Sequence, residues 1–258
     1  MTTSFLAATA AAGALAALPA AACSVAEDYR VPSNLELAAE ANAIVLGRVV
    51  GAAEALRAPD EALLQAISIE PLATLKGLTP GGTLIMPGML LAQPGVSPSG
   101  SGVAVDFAEP HPEARAGACI RRSFPAGATV LFFLRRADGG WVPAGGPFSR
   151  WAEDVSGPED PWVQLATLYV HAAQLVPGER QALLEDQLEA LQARIDAEPT
   201  DDPVTLALAT DLERTMADPG FPQLAARRPE PPPASAGEAV DLGDLGAGID
   251  ALASDTGE

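Results

Sequence analysis

Strand-like runs recur between Ala43 and Trp141, with a break from Gln93 to Ala116, and from Trp162 onward apolar positions recur with helical spacing. The strongest strand pattern is Thr129 to Leu134, β-branched and aromatic, entered through Pro125 and Gly127 and left through Asp138-Gly139-Gly140. That exit predicts a hairpin, with a partner strand beginning at Trp141. Upstream, Ser33 stands three residues before Glu36 with leucines at 35 and 37, a capping-box pattern that predicts a short helix through Ala41. Strands are expected at Ala43 to Val50, bent or bulged at Gly47, at Leu63 to Leu72, and at Thr83 to Met86. Between Gln93 and Ala116 the periodicity stops in a Ser-, Gly- and Pro-rich loop, with one short edge strand expected at Val103 to Phe107. The chain is expected to leave the sheet at Gly145 to Trp151.

The helical part divides into three. Trp162, Leu165, Tyr169, Ala172 and Val176 share one face; Leu184, Leu188, Leu191 and Ile195 share a face of a second helix begun after Pro177-Gly178. Asp202 and Pro203 predict the cap and first turn of a third, with Val204, Leu208, Leu212 and Met216 as its stripe. Stripes this narrow predict helices that pack on one another and on the sheet. Beyond Arg228 the chain is rich in Pro and acidic residues and predicts disorder. The expected organisation is a leader over 1–22, a β domain over 23–156, a helical segment over 157–218, and a Pro-rich acidic tail over 219–258.

Charge narrows the function. Asp and Glu outnumber Lys and Arg 34 to 15, a formal net charge of -19, and Lys76 is the only lysine. Nucleic-acid binding is not expected, because affinity for phosphates is built from Lys and Arg.

No enzyme pattern emerges. His111 lies in a Pro-rich loop and His171 in a predicted helix, without metal-ligand spacing to each other. Ser97, Ser99 and Ser101 sit in no strand-to-helix elbow, and the pairs Glu153-Asp154, Glu159-Asp160 and Asp201-Asp202 read as solvated loops and caps. There is no phosphate loop, dinucleotide fingerprint or calcium loop. The expectation is a non-enzymatic protein.

The N-terminus carries the remaining information. Phe5 to Ala22 is uncharged and alanine-rich, ends in small residues before Cys23, and reads as a secretory signal too short and weakly apolar for a membrane span. Export to the periplasm or the exterior is therefore expected. Two routes compete for Cys23. A lipid thioether would anchor the protein to the envelope and leave Cys119 unpaired, with Ala20 where such signals favour Leu. Oxidation would pair the only two cysteines across a loop of roughly 95 residues, for which a chain-entropy model gives about 4.7 kcal/mol. The disulfide is the favoured route.

Cys23-Ser24 after a signal, a short helix, the run Ala41 to Val49, Leu72 to Gly77, and Cys119 followed by Phe124 to Gly127 and Val130 to Leu134 together resemble the netrin-like domain of tissue inhibitors of metalloproteinases. The resemblance covers roughly Cys23 to Val155. It implies an α+β protein built on a closed OB-like β-barrel, with the first cysteine tied to a neighbouring loop; Cys23 to Cys119 would be that bond. It also implies a binding edge at Cys23, Ser24 and Val25, where the free amino group and carbonyl of the first residue would chelate the zinc of a target metalloprotease. The chain would need no metal or cofactor of its own. Val25 stands where many members have a second cysteine, and further disulfides are missing. The alternative is an envelope structural or interaction protein without inhibitory activity.

Overall fold

The computed structural model describes residues 25–57, 63–77, 82–91, 106–137, 140–197 and 202–224. The short helix α1 spans Asn34–Glu40 and is closed at its start by the expected box: Ser33 Oγ accepts from the Glu36 amide, and a Glu36 carboxylate oxygen accepts from the Ser33 amide at 2.8 Å. At its other end the Lys76 ammonium donates to the carbonyls of Ala38 and Ala39 at 2.7 and 2.9 Å. The chain's only lysine thus offsets the negative end of a helix dipole.

Among the described residues eight strands follow: β1 (Ala43–Arg57), β2 (Leu63–Lys76), β3 (Leu84–Pro87), β4 (Met89–Leu91), β5 (Ser123–Pro125), β6 (Thr129–Ala137), β7 (Gly140–Pro143) and β8 (Ala152–Asp154). The main sheet is antiparallel in the order β3-β2-β1-β6-β7. The near half of β6 also pairs with β8, Val130 opposite Asp154, while its far half pairs with β7. Strands β4 and β5 form a separate parallel pair.

Val130 to Leu134 of β6 is an unbroken apolar run because both faces of that part of the strand are covered. Leu131 and Phe133 join the core shared with the helices, whereas Val130, Phe132 and Leu134 point into a second core with Val45, Val49, Ile67, Ile69, Leu84 and Met86. Phe124, Phe132 and Trp151 cluster there, with ring centroids 5.8 to 6.0 Å apart. Strand β1 divides in the same way, with Ile44 and Leu46 facing the helices and Ala43, Val45 and Val49 facing inward. Its register against β2 shifts at Leu46/Gly47, where the sequence expects a bulge. A Cβ on Gly47 would stand 2.5 Å from Ile69 Cγ2, so the close approach of β1 to β2 requires glycine.

The expectation of a closed barrel is overturned. The sheet curls, and parts of β3 and β7 approach within 8 Å, but no ladder joins these edges among the described residues. Each edge strand is four residues long and ends in a proline, Pro87 or Pro143, which has no N–H to donate. The protein is α+β with an open antiparallel sheet. Of the edge strand expected at 103–107, only Asp106 and Phe107 are described; they lie at a turn, with Phe107 buried.

Three helices follow among the described residues: α2 (Pro161–Gln174), α3 (Pro177–Ala197) and α4 (Pro203–Ala217); α2 packs on the sheet, with Trp162 against Phe133 of β6, and α3 and α4 pack on α2 and on each other. Asp160 caps α2 and Asp202 caps α4, each ahead of a proline in the first turn. One apolar core runs through α1, α2, Leu184 of α3, Leu212 of α4 and the sheet. The fully buried Arg180 guanidinium donates to the carbonyls of Ala172, Leu175 and Phe221, so a cation closes the C-terminal end of α2. Phe221 is itself buried in a 3-10 turn (Phe221–Gln223), within the range that the sequence pattern assigns to the tail. Nearly all of that tail lies outside the described residues.

Candidate binding edge

Cys23 and Ser24, expected to lead the binding edge, lie outside the described residues, and Val25 is the first residue described, half-buried. From there the chain runs along the surface and is fixed at two points before α1. The Tyr29 hydroxyl donates to the Pro147 carbonyl at 2.6 Å, over Gly146, where a Cβ would stand 2.6 Å from the Tyr29 oxygen. The Arg30 guanidinium donates to both carboxylate oxygens of Glu36 and to Asp218, the residue that follows α4. Burial alone would raise the Glu36 carboxyl, but the Arg30 hydrogen bond, the Ser33 amide and the Arg30 charge together hold it below the usual carboxylate range.

The peptide unit that receives Tyr29 also ties down Cys119. Its nitrogen, that of Phe148, donates to the Cys119 carbonyl at 2.6 Å. Phe148 at φ 61° and Cys119 at φ 67° are the non-glycine residues with left-handed backbone among the described residues, and they lie at the two ends of this bond. Such a conformation costs of order 1 kcal/mol and persists where surroundings enforce it. Cys119 ends a short helical turn, Ala114–Ala118, and is not a free thiol. The disulfide assigned to it by the sequence has its other end, Cys23, outside the described residues.

The loop that carries Cys119 is pinned through His111, which the sequence pattern leaves without a role. His111 is buried: its amide donates to Glu153, and its Nδ1 accepts from the Glu113 amide at 3.3 Å. Nε2 makes no hydrogen bond and stands 4.0 Å from an Asp154 oxygen. The Asp154 carboxylate takes the buried Arg121 guanidinium at 2.7 Å, and the Glu113 carboxylate takes the amides of Arg122 and Ser123. Burial and the nearby Arg121 charge push the imidazole below its ordinary pKa, against Glu153, Asp154 and Glu113. The pair Glu153-Asp154, read from sequence as a solvated loop or cap, thus lies on β8 beside the buried Arg121 guanidinium and the buried His111 imidazole. His171 is exposed on α2.

Beneath the N-terminal segment, Asp211 of α4 gathers three elements. Asn34 donates to both its oxygens at 3.0 and 3.2 Å, and Tyr169 donates at 2.7 Å. Burial drives the Asp211 carboxyl above its usual value, although Tyr169, Asn34 and the Arg214 charge favour the anion. Beside it opens a pocket of about 160 Å³ between α1, α4 and the 145–150 loop. Sequence spacing could not expose this cluster, since Asn34 and Asp211 are 177 residues apart.

Among the described residues no group of histidine, cysteine and carboxylate side chains is arranged to hold a metal ion, and no helix is long and apolar enough to cross a membrane. Comparison with protein-family models, characterised proteins and solved structures finds no match.

Proposed function

We propose that this protein is an exported binding module without enzymatic activity, which engages a protein partner through an N-terminal edge beginning at Cys23. The observation that carries this reading is the shared peptide unit at Pro147-Phe148, held on one side by Tyr29 and on the other by Cys119. Cys23 is six residues before Tyr29, a span of at most about 20 Å, so a bond to Cys119 is within reach of the anchored chain. A first residue fixed in this way loses little conformational freedom on binding, the advantage of a preorganised edge. The reading needs no closed barrel.

The partner class proposed from the resemblance is a metalloprotease, with Cys23, Ser24 and Val25 entering its cleft. The α-amino group of Cys23 must then be neutral to donate its lone pair to the target's zinc. With an ordinary pKa of about 8, that form grows as pH rises from about 6 to 8, so binding should tighten over this range. Adding one alanine before Cys23 moves the amino nitrogen by about 3.8 Å, far beyond the ~0.2 Å tolerance of a metal bond. The test is inhibition of metalloproteases from the same organism by the mature protein and by the extended variant. Inhibition by the mature form alone supports the reading; equal inhibition by both removes chelation, and no inhibition of any metalloprotease removes this partner class.

A further inference from the structure

We propose that the pocket beside Asp211 is a binding site for a small carboxylate, either a free short-chain acid or the C-terminal carboxylate of a peptide. The pocket holds about 160 Å³, room for about five waters at ~30 Å³ each, and its lining includes Val31, Ala108 and Phe148 alongside Ser33, Arg150 and Arg214. What selects the ligand is which hydrogen-bonding groups are still uncommitted.

The carboxylates at the pocket already have donors. Asp211 takes Asn34, Tyr169 and Arg214, and Asp218 takes Arg30 and the Gly220 amide. Arg214 spends its two terminal nitrogens on Asp211 and Asp106. Arg150 does not. Its guanidinium carbon lies 4.3 Å from the Trp162 ring centre, its Nη1 donates to the Phe107 carbonyl at 3.1 Å, and its Nε is 3.4 Å from Glu153. Nη2 has no hydrogen-bond partner among the described residues. Ser33 Oγ accepts from the Glu36 amide and keeps its own proton to give. The unspent capacity is therefore donor capacity, on a guanidinium already held in place by stacking and two polar contacts, which is the arrangement that receives a carboxylate.

Charge limits the class further. The charged residues that line the pocket are balanced, Asp211 and Asp218 against Arg150 and Arg214. A monoanion can be accommodated by Arg150, whereas a phosphate dianion would meet twice the repulsion. An ammonium would face Arg150 and Arg214, and the lining carboxylate with lone pairs to spare, Asp218, already holds the Arg30 cation. The apolar lining then favours a short alkyl group beside the carboxylate.

The test is amide chemical-shift titration of the purified protein with isobutyrate, isobutyramide, inorganic phosphate, and a valine-ending tripeptide in free-acid and amidated forms. Isobutyrate should move the Ser33, Ala108 and Phe148 amides and bind at least tenfold more tightly than isobutyramide. Arg150→Gln should abolish the response. Because that variant also loses the Trp162 stacking, Ala108→Trp serves as the second test: it fills the pocket from an exposed position, should keep the melting temperature, and should weaken isobutyrate at least tenfold. Tighter binding of the free-acid peptide than of isobutyrate identifies a chain terminus, and the reverse order identifies a free acid; either supports the site. Equal response to isobutyramide, response to phosphate alone, an unchanged response in Ala108→Trp, or no response to any ligand overturns it. None of these outcomes depends on Cys23, so the site stands or falls separately from the binding edge.

Discussion

Tyr29 and Cys119 hold opposite sides of one peptide unit: the tyrosine hydroxyl donates to its oxygen and its N–H donates to the cysteine carbonyl, both at 2.6 Å. The N-terminal segment and the cysteine loop are thereby fixed to each other through the 145–148 turn. Tyr29→Phe should cost about 1 kcal/mol, one hydrogen bond with its acceptor left half-buried. Gly146→Ala should cost more, because the added methyl displaces the ring itself. Limited proteolysis should show earlier cleavage between Val25 and Ser33 in both variants; unchanged cleavage would mean that the segment is held by something else.

Glu36 links the same segment to α1 through the capping box and Arg30. Its carboxyl is held below the usual range, so the stability it adds is present above the unfolded value of about 4.5 and is lost as pH falls through its lower folded value. Glu36→Gln should therefore destabilise by about 1 kcal/mol at pH 7, the scale of a lost cap. The difference from the parent protein should shrink in urea melts at acid pH. A difference independent of pH would assign the effect to packing.

His111 has the opposite kind of titration. Its folded value lies below the unfolded one of about 6.5, so the unfolded chain binds the proton first and stability falls as pH drops through that region. Protonation would also set Nδ1–H against the Glu113 amide, two donors 3.3 Å apart. His111→Gln should flatten the pH dependence of stability below about 6.5, and the His111 ring protons should titrate below that value. Titration at or above it would contradict the buried, neutral imidazole.

Among the described residues Arg180 has no carboxylate as a hydrogen-bond partner and spends its charge on three carbonyls. Arg180→Met keeps much of the volume but strands those acceptors, and should cost about 3 kcal/mol by chemical denaturation. Arg180→Lys should recover only part of this, since one ammonium cannot reproduce the planar fork. Full recovery by lysine would show that charge alone matters.

Legibility in the sequence followed the reach of the signal. Ser33 and Glu36 are three residues apart, Asp202 sits next to the helix it caps, and Gly47 interrupts a β-branched run; each acts locally and each is legible. Strands β4, β5 and β8 are three residues long and carry no period, so the text of the chain does not mark them. Closure of the barrel is a property of two edges far apart in sequence, and Pro87 and Pro143 at those edges are the local sign against it. The Asp211 cluster and the His111 network join residues from distant segments, and single polar residues give no pattern that foretells such meetings.

The central claim is an exported chain that begins at Cys23 and is closed to Cys119. Intact mass of protein recovered from a periplasmic or culture fraction tests it most directly. The account predicts a chain starting at Cys23 that gains about two hydrogens on reduction, because a disulfide lacks both thiol protons. A mass larger by a diacylglycerol group, or a chain retaining residues 1–22, would contradict it.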